Sequence, residues 1–412
     1  MSVMISRKIY ESFSTIFHVS RIIGICPFLV LGNTNGFNLV WSRKMLVCSY
    51  LSISVLVCFS IYGLAQNYKI KQVYNIRLRT VAGLVCTLCE NISLLFSCML
   101  ATILTPFCRR HFGKYLQCLH QTDLLLIPKI RKQDKTCSRV TIMALTITII
   151  ILAIDVTMWT NIITKNTPLT LYLLHTLPFY LTYIYQMIVE LHFWMLVHLV
   201  LVRLVDLNQE LLELLQEVET CESLLKSNEY MSRKLVKVVS HFDGLKSADM
   251  ITSGNITRKV KNIINVHHLL VKAVAATNNY FGINVLVLLI GCLMHLLVTP
   301  YVLYLQIKET KNPIFVASQL MWLICHISKL MFIIEPCQKC KTQVQCIVST
   351  ACKLLRFEIC KESKTQLQAL LVQIDRCRIQ FTACNLVVMD RTLLSTVTGT
   401  VTTYLVILFQ FK

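Results

Sequence analysis

Nine side chains that carry or can take up charge lie inside long apolar stretches of this sequence. They are Glu90, Asp155, His175, Glu190, His192, His198, His295, His326 and Lys329. Ionisable groups are costly in hydrocarbon, so those that occur there face a cavity or a partner. Aromatic and amide groups share the same stretches. Trp159 follows Asp155 by one helical turn, Phe179, Tyr180 and Tyr183 follow His175, Tyr301 and Tyr304 follow His295, and Gln319 precedes Trp322. Tyr172, His175, Phe179 and Tyr183 recur at spacings of three and four, which places them on one helical face. An aromatic pocket with one carboxylate and a few hydrogen-bonding groups suits a small amphipathic organic molecule, including a basic one. Helix packing and interfacial aromatic belts are the competing roles for each of these residues. Lys329 is placed near a membrane surface, with its ammonium snorkelling outward.

No catalytic chemistry is legible. The sequence has no phosphate-binding loop, no Gly-rich dinucleotide fingerprint and no H-E-x-x-H, and it contains only 11 glycines. Cys86 and Cys89 form a C-x-x-C inside an apolar stretch, where they serve as small packing residues. Cys337, Cys340, Cys346 and Cys352 lack the flanking loops of a zinc site. The expectation is therefore not an enzyme, with no catalytic, cofactor or metal site.

Of the 412 residues, 55% are hydrophobic and 15% charged, against about 25% charged in a typical soluble chain. The charges gather between apolar stretches, as they must in a chain that crosses a bilayer repeatedly. A span needs roughly 20 apolar residues, and seven segments qualify: 45–65, 81–104, 140–163, 169–202, 283–307, 314–334 and 392–411. The seventh begins weakly with Ser395, Thr396, Thr398, Gly399 and Thr400 before turning apolar. The net charge of +20 is carried by residues flanking these spans. It reads as a topology signal, and no nucleic-acid partner is expected.

Lys and Arg set the expected orientation. With the long 203–282 segment left aside, 22 basic residues fall on the side of the N-terminus and 8 on the other. The N-terminus is thus expected in the cytosol and the C-terminus outside. None of the 19 cysteines lies in the expected outer segments 66–80, 164–168 or 308–313, which fits reduced cytosolic thiols. This orientation is opposite to that of a G-protein-coupled receptor, and the absence of internal repeats disfavours a transporter.

Helical patterns continue beyond the spans. Leu204, Leu207, Leu211, Leu214, Leu215 and Val218 extend the fourth span, a basic helix over 255–276 leads into the fifth, and QLQALLVQIDRCRI is amphipathic. The fold class expected is an all-α membrane protein of seven transmembrane helices with cytoplasmic helical extensions. Its segments are a cytoplasmic N-terminal stretch (1–44), helices 1–4 contributing to a ligand-binding bundle (45–202), a cytoplasmic linker or anchor (203–282), helices 5–6 (283–334), a second cytoplasmic anchor (335–391) and the seventh helix (392–412).

The chain ends TYLVILFQFK. Thr403 and Tyr404, five hydrophobic residues, then Gln410 and Phe411 resemble the C-terminal signature of insect gustatory receptors, and the related odorant-receptor co-receptor ends similarly. The resemblance implies a tetrameric, ligand-gated, non-selective cation channel passing monovalent and divalent cations, with the seventh helix lining the pore. It further implies a plasma-membrane location in a sensory neuron dendrite, a small-molecule tastant and an outer pocket among the second to sixth spans. The candidates for that pocket are Asp155, Trp159, His175, Phe179, Tyr180, Tyr183, His295, Tyr301, Gln319 and Trp322. By the same resemblance, Ile407 and Phe411 would form the pore constriction and Gln410 would face ions or a neighbouring subunit. Ile407 and Phe411 are four residues apart and share a helical face, and apolar rings close pores by dewetting. Bitter plant compounds are favoured over sugars, carbon dioxide or pheromones. Homotetramer and heterotetramer both remain open, as does a chemoreceptor subunit that signals or conducts only with a partner.

Overall fold

The structure, a computed structural model, describes residues 2–23, 25, 28–33, 36–74, 81–126, 136–163, 169–235, 245–309 and 313–410. Each expected span is carried by one helix. These are α2 (Arg43–Tyr74), α3 (Val81–Leu125), α4 (Thr136–Ile163), α5 (Leu169–Leu235), α6 (Leu245–Glu309), α7 (Pro313–Leu354) and α9 (Arg391–Gln410). An amphipathic α1 (Arg7–Ile23) and a short α8 (Lys361–Arg376) complete the helices of the described residues. Parts of α2 to α7 are long and apolar enough to cross a bilayer.

Several helices are far longer than a membrane requires. Helix α5 has 67 residues and α6 has 65, so each runs about 100 Å, against a hydrocarbon layer of about 30 Å. The helical continuations read from the sequence are therefore not separate pieces. Leu204, Leu207, Leu211 and Leu214 are fully buried on the same helix as the fourth span. The basic helix over 255–276 runs without a break into the fifth span as α6. Helix α8 buries Leu367, Leu370 and Ile374, and these distal parts of α5, α6, α7 and α8 share one apolar core. Charge pairs mark its margins, with Arg203 2.8 Å from Asp123 and Lys259 2.7 Å from Glu217.

Two small sheets accompany the helices. Strands β1 (Ser2–Ile5), β3 (Gly36–Trp41) and β2 (Phe28–Asn33) form an antiparallel sheet in that order. It places Phe28 and Leu39 in the core beside Phe13 and Phe17 of α1. Strands β4 (Thr382–Ala383) and β5 (Val387–Val388) form a hairpin just before α9. Its turn holds Cys384 and Asn385 at φ 54° and 57°, a left-handed pair that short hairpin turns require. Asn278 of α6 ties the hairpin down, donating to the Gln380 carbonyl at 2.9 Å and accepting from the Thr382 amide at 3.1 Å. Gly282, one turn further along α6, makes room for it. A Cβ there would lie 3.0 Å from the Cys384 backbone nitrogen.

Helix α9 is held on one side only. Leu393, Leu394, Val397 and Val401 pack against the core, whereas Thr396, Thr398, Thr402, Thr403, Tyr404, Val406 and Ile407 are exposed. Gly399 faces open space.

Candidate functional site

Asp155 gathers the site. Its side chain lies on α4 and the residue is 4% exposed. Oδ2 accepts from the Tyr180 hydroxyl of α5 at 2.9 Å, and Oδ1 accepts from Trp322 Nε1 at 2.9 Å and from the Ser318 hydroxyl at 3.1 Å, both on α7. Three helices thus converge on one carboxylate. Ser318 and Trp322 reach the same oxygen because they are one helical turn apart. A buried carboxylate is tolerated when hydrogen bonds satisfy its charge, and bonds to a charged acceptor are the stronger kind.

Aromatic faces continue the cluster. The Tyr183 and Trp322 ring centroids are 4.8 Å apart, and Trp322 stacks with His326 at 5.8 Å. His326 stacks in turn on His295 at 4.1 Å, with the rings 8° from parallel. His295 Nδ1 lies 3.5 Å from Glu90 Oε1. Gln319 is 1% exposed, and its Nε2 has no hydrogen-bond partner among the described residues.

Below this cluster sits a buried ion pair. Lys329 Nζ is 3.8 Å from Glu190 Oε1 and 5.5 Å from the centre of the Tyr183 ring. Gln186 Nε2 donates to Glu190 Oε1 at 3.2 Å. The expectation that Lys329 snorkels is overturned, because its residue is only 8% exposed. The carboxylate opposite and the aromatic face beneath replace the water that snorkelling would have reached.

The structure therefore brings together Asp155, Tyr180, Tyr183, His295 and Trp322 of the expected pocket, with Gln319 one turn before Trp322 on α7. Phe179 and Tyr301 are half-buried on α5 and α6, outside the hydrogen-bonded cluster. The side chains of Trp159 and His175 lie outside the described residues, as does Phe411. Of the expected pore group, Thr403, Tyr404, Ile407 and Gln410 are exposed on α9. Sequence reasoning missed Ser318. Its signal was the Ser-x-x-x-Trp spacing, which puts two donors on one helical face. Cys337 and Cys340 are buried in α7 and hydrogen-bond to the backbone, Cys340 to Val197 of α5. No group of three or more candidate metal ligands occurs among the described residues.

A separate cavity of about 30 Å³ lies where α1 and β2 meet α3, α5 and α6. Its walls include Phe13, Phe28, Phe112 and Tyr280, and Asn284, whose Oδ1 is buried without a partner among the described residues. That volume is enough for one or two waters bound to the amide oxygen.

An apolar helical bundle with buried polar groups among its long helices, and a final helix packed on one side, is the architecture of a multi-pass membrane protein. Residues 13–412 match the model of the family described as 7tm Chemosensory receptor, and the chain belongs to that family. It is 28% identical over 200 residues to "Gustatory receptor for sugar taste 43a" of Drosophila melanogaster, covering 48% of this chain and 46% of that protein. It is 27% identical over 202 residues to "Putative gustatory receptor 28a" of the same organism, covering 48% and 45%. The chain spans about half the length of the curated relatives it matches. Its fold is similar to that of the insect olfactory receptor OR5 from Machilis hrabei, with a TM-score of 0.66, 11% identity and coverage of 98% of this chain and 99% of that one. The same receptor in complex with eugenol gives a TM-score of 0.65 at 11% identity, with 99% and 100% covered.

Proposed function

We propose that this chain is a gustatory receptor subunit forming a ligand-gated, non-selective cation channel in the plasma membrane of a sensory dendrite. Four copies assemble around α9, the N-terminus lies in the cytosol, and monovalent and divalent cations pass between the copies. The tastant binds at the Asp155 cluster. The observation carrying this reading is a nearly buried carboxylate that joins α4, α5 and α7 through three donors. The open face of α9, with Ile407 39% exposed, supports its role as the shared pore helix.

The cluster favours a polyhydroxylated ligand. A carboxylate acceptor, a buried amide donor at Gln319 and the faces of Tyr183 and Trp322 are the groups that bind hydroxyls and the apolar face of a sugar ring. A relative named for sugar taste points the same way. The expectation of bitter compounds rests on an aromatic pocket with few acids and on the general form of the C-terminal motif, neither of which distinguishes an alkaloid from a sugar ring.

The test is whole-cell current from cells expressing the full chain, challenged with monosaccharides, disaccharides and bitter alkaloids. Ile407→Ala and Phe411→Ala run in parallel. Sugar-evoked cation current, with raised basal current or altered permeation in the two variants, supports the whole reading. Responses confined to alkaloids would overturn the sugar assignment and keep the channel. Silence at confirmed surface expression, relieved by co-expressing a related receptor, would make the chain an obligate partner subunit.

A further inference from the structure

Helix α7 carries contacts of two kinds along one element. Near its N-terminal end, Ser318 and Trp322 bind Asp155, and Lys329 faces Glu190. About 20 Å along the axis from Trp322, the same helix grips the start of α9. Arg391 Nη2 donates to both oxygens of Glu335, at 3.0 and 3.1 Å, and Nε donates to Oε2 at 3.3 Å. The Arg391 backbone amide donates to Gln338 Oε1 at 3.3 Å, and Lys341 Nζ donates to Asp390 Oδ2 at 2.9 Å. Glu335, Gln338 and Lys341 are three apart, so they line one face. Asp390 in turn caps α9, with Oδ1 accepting from the Thr392 amide at 3.0 Å and from the Thr392 hydroxyl.

Two features separate this arrangement from an ordinary staple. The Arg391 and Glu335 side chains are 62% and 29% exposed, and pairs so open to water contribute little to folding. Their forked geometry instead fixes a direction and a distance. Pro336 lies inside α7 between Lys329 and Gln338. Its ring removes one backbone donor and crowds the carbonyl of Phe332, so bending of α7 concentrates there.

We infer that Glu335, Gln338 and Lys341 are positioning residues that form a latch between α7 and the first turn of α9, delivering displacement of α7 at the Asp155 cluster to the pore helix. This rests on the channel reading above. None of the three touches the Asp155 cluster. They act through Asp390 and Arg391, which set where α9 begins and how it is aimed.

The experiment compares wild type, Glu335→Arg, Arg391→Glu and the double exchange in the full chain. Three readings are taken: surface expression, the shift in melting temperature on adding the sugars and alkaloids of the panel to purified receptor, and the evoked current. The single exchanges should keep expression and the ligand-induced melting shift. They should move the half-maximal concentration for current by about fivefold or more, or leave current flowing without ligand. The double exchange, which restores the pair with its charges reversed, should recover wild-type gating. Wild-type currents matched by both single exchanges would overturn the latch, as would a double exchange no better than either single. A wild type that shows the melting shift yet passes no current, alone or with a related receptor, would overturn the channel reading and the latch together.

Discussion

At the scale of single residues, the Asp155 carboxylate is held by saturation. Asp155 is tolerable because three donors surround it, and each donor is tolerable because of Asp155. Asp155→Ala would strand the Tyr180 and Ser318 hydroxyls and the Trp322 ring nitrogen. At about 1–3 kcal/mol per stranded group, the melting temperature of purified receptor should fall clearly. Asp155→Asn keeps an acceptor and should melt closer to wild type while losing ligand response. Glu190 and Lys329 obey a related rule. Removing one partner of a buried pair costs about 3–5 kcal/mol, whereas replacing both with apolar groups is often neutral. Lys329→Met should therefore lower the melting temperature, and adding Glu190→Leu should restore most of it. Asp155, Tyr180 and Trp322 were legible in the sequence because charged or hydrogen-bonding groups in apolar stretches stand out. Ser318 was not, because serine is common in membrane helices. Lys329 was misplaced because its partner sits on another helix, more than a hundred positions earlier in the chain.

At the scale of elements, the six helices long and apolar enough to cross a bilayer were legible, because roughly 20 apolar residues leave a chain little choice. What composition could not give was continuity. No glycine or proline stands near 202, the expected end of the fourth span, and α6 runs straight through Gly282 at the expected start of the fifth. The hairpin of β4 and β5 was hidden for another reason. Its strands are two residues each, too short for an alternation to register, and it is held by Asn278 and by the absence of a side chain at Gly282. Gly282→Ala should push a Cβ against the Cys384 backbone and cost about 1–3 kcal/mol as an overpacking defect. Thermal melting read by tryptophan fluorescence would register it, and a melting point equal to wild type would mean that the hairpin moves aside freely.

At the scale of the whole molecule, α9 meets the rest through one packed stripe and one charged first turn, so acid should act there. The Thr392 hydroxyl and Lys341 hold the Asp390 carboxyl below the usual carboxylate range, against the smaller opposing effect of burial. A native value below the unfolded one, about 3.9, means that the contribution is complete above that value. It is lost as the pH falls through the lower native value. The α9 cap should therefore be unaffected between neutral pH and about pH 5 and loosen only in stronger acid. Hydrogen exchange at the amides of Thr392 and Leu393 across that range would follow it, with Asp390→Asn abolishing the pH dependence.

The hydroxyls of α9 have one further consequence. Those of Thr396, Thr398, Thr400, Thr402 and Thr403 each donate to a backbone carbonyl of their own helix, at 2.8 to 3.1 Å. Their protons are committed inward, so each oxygen offers only lone pairs to whatever lies beyond. Thr396, Thr400 and Thr403 share a helical face with Ile407, so in the proposed pore four such faces would present passing ions with a lining rich in electron density and poor in free protons. Such a wall would attract the positive end of a water molecule and repel chloride. It would accept sodium, potassium and calcium without a single carboxylate, and so distinguish ions by the sign of their charge and only weakly by its size.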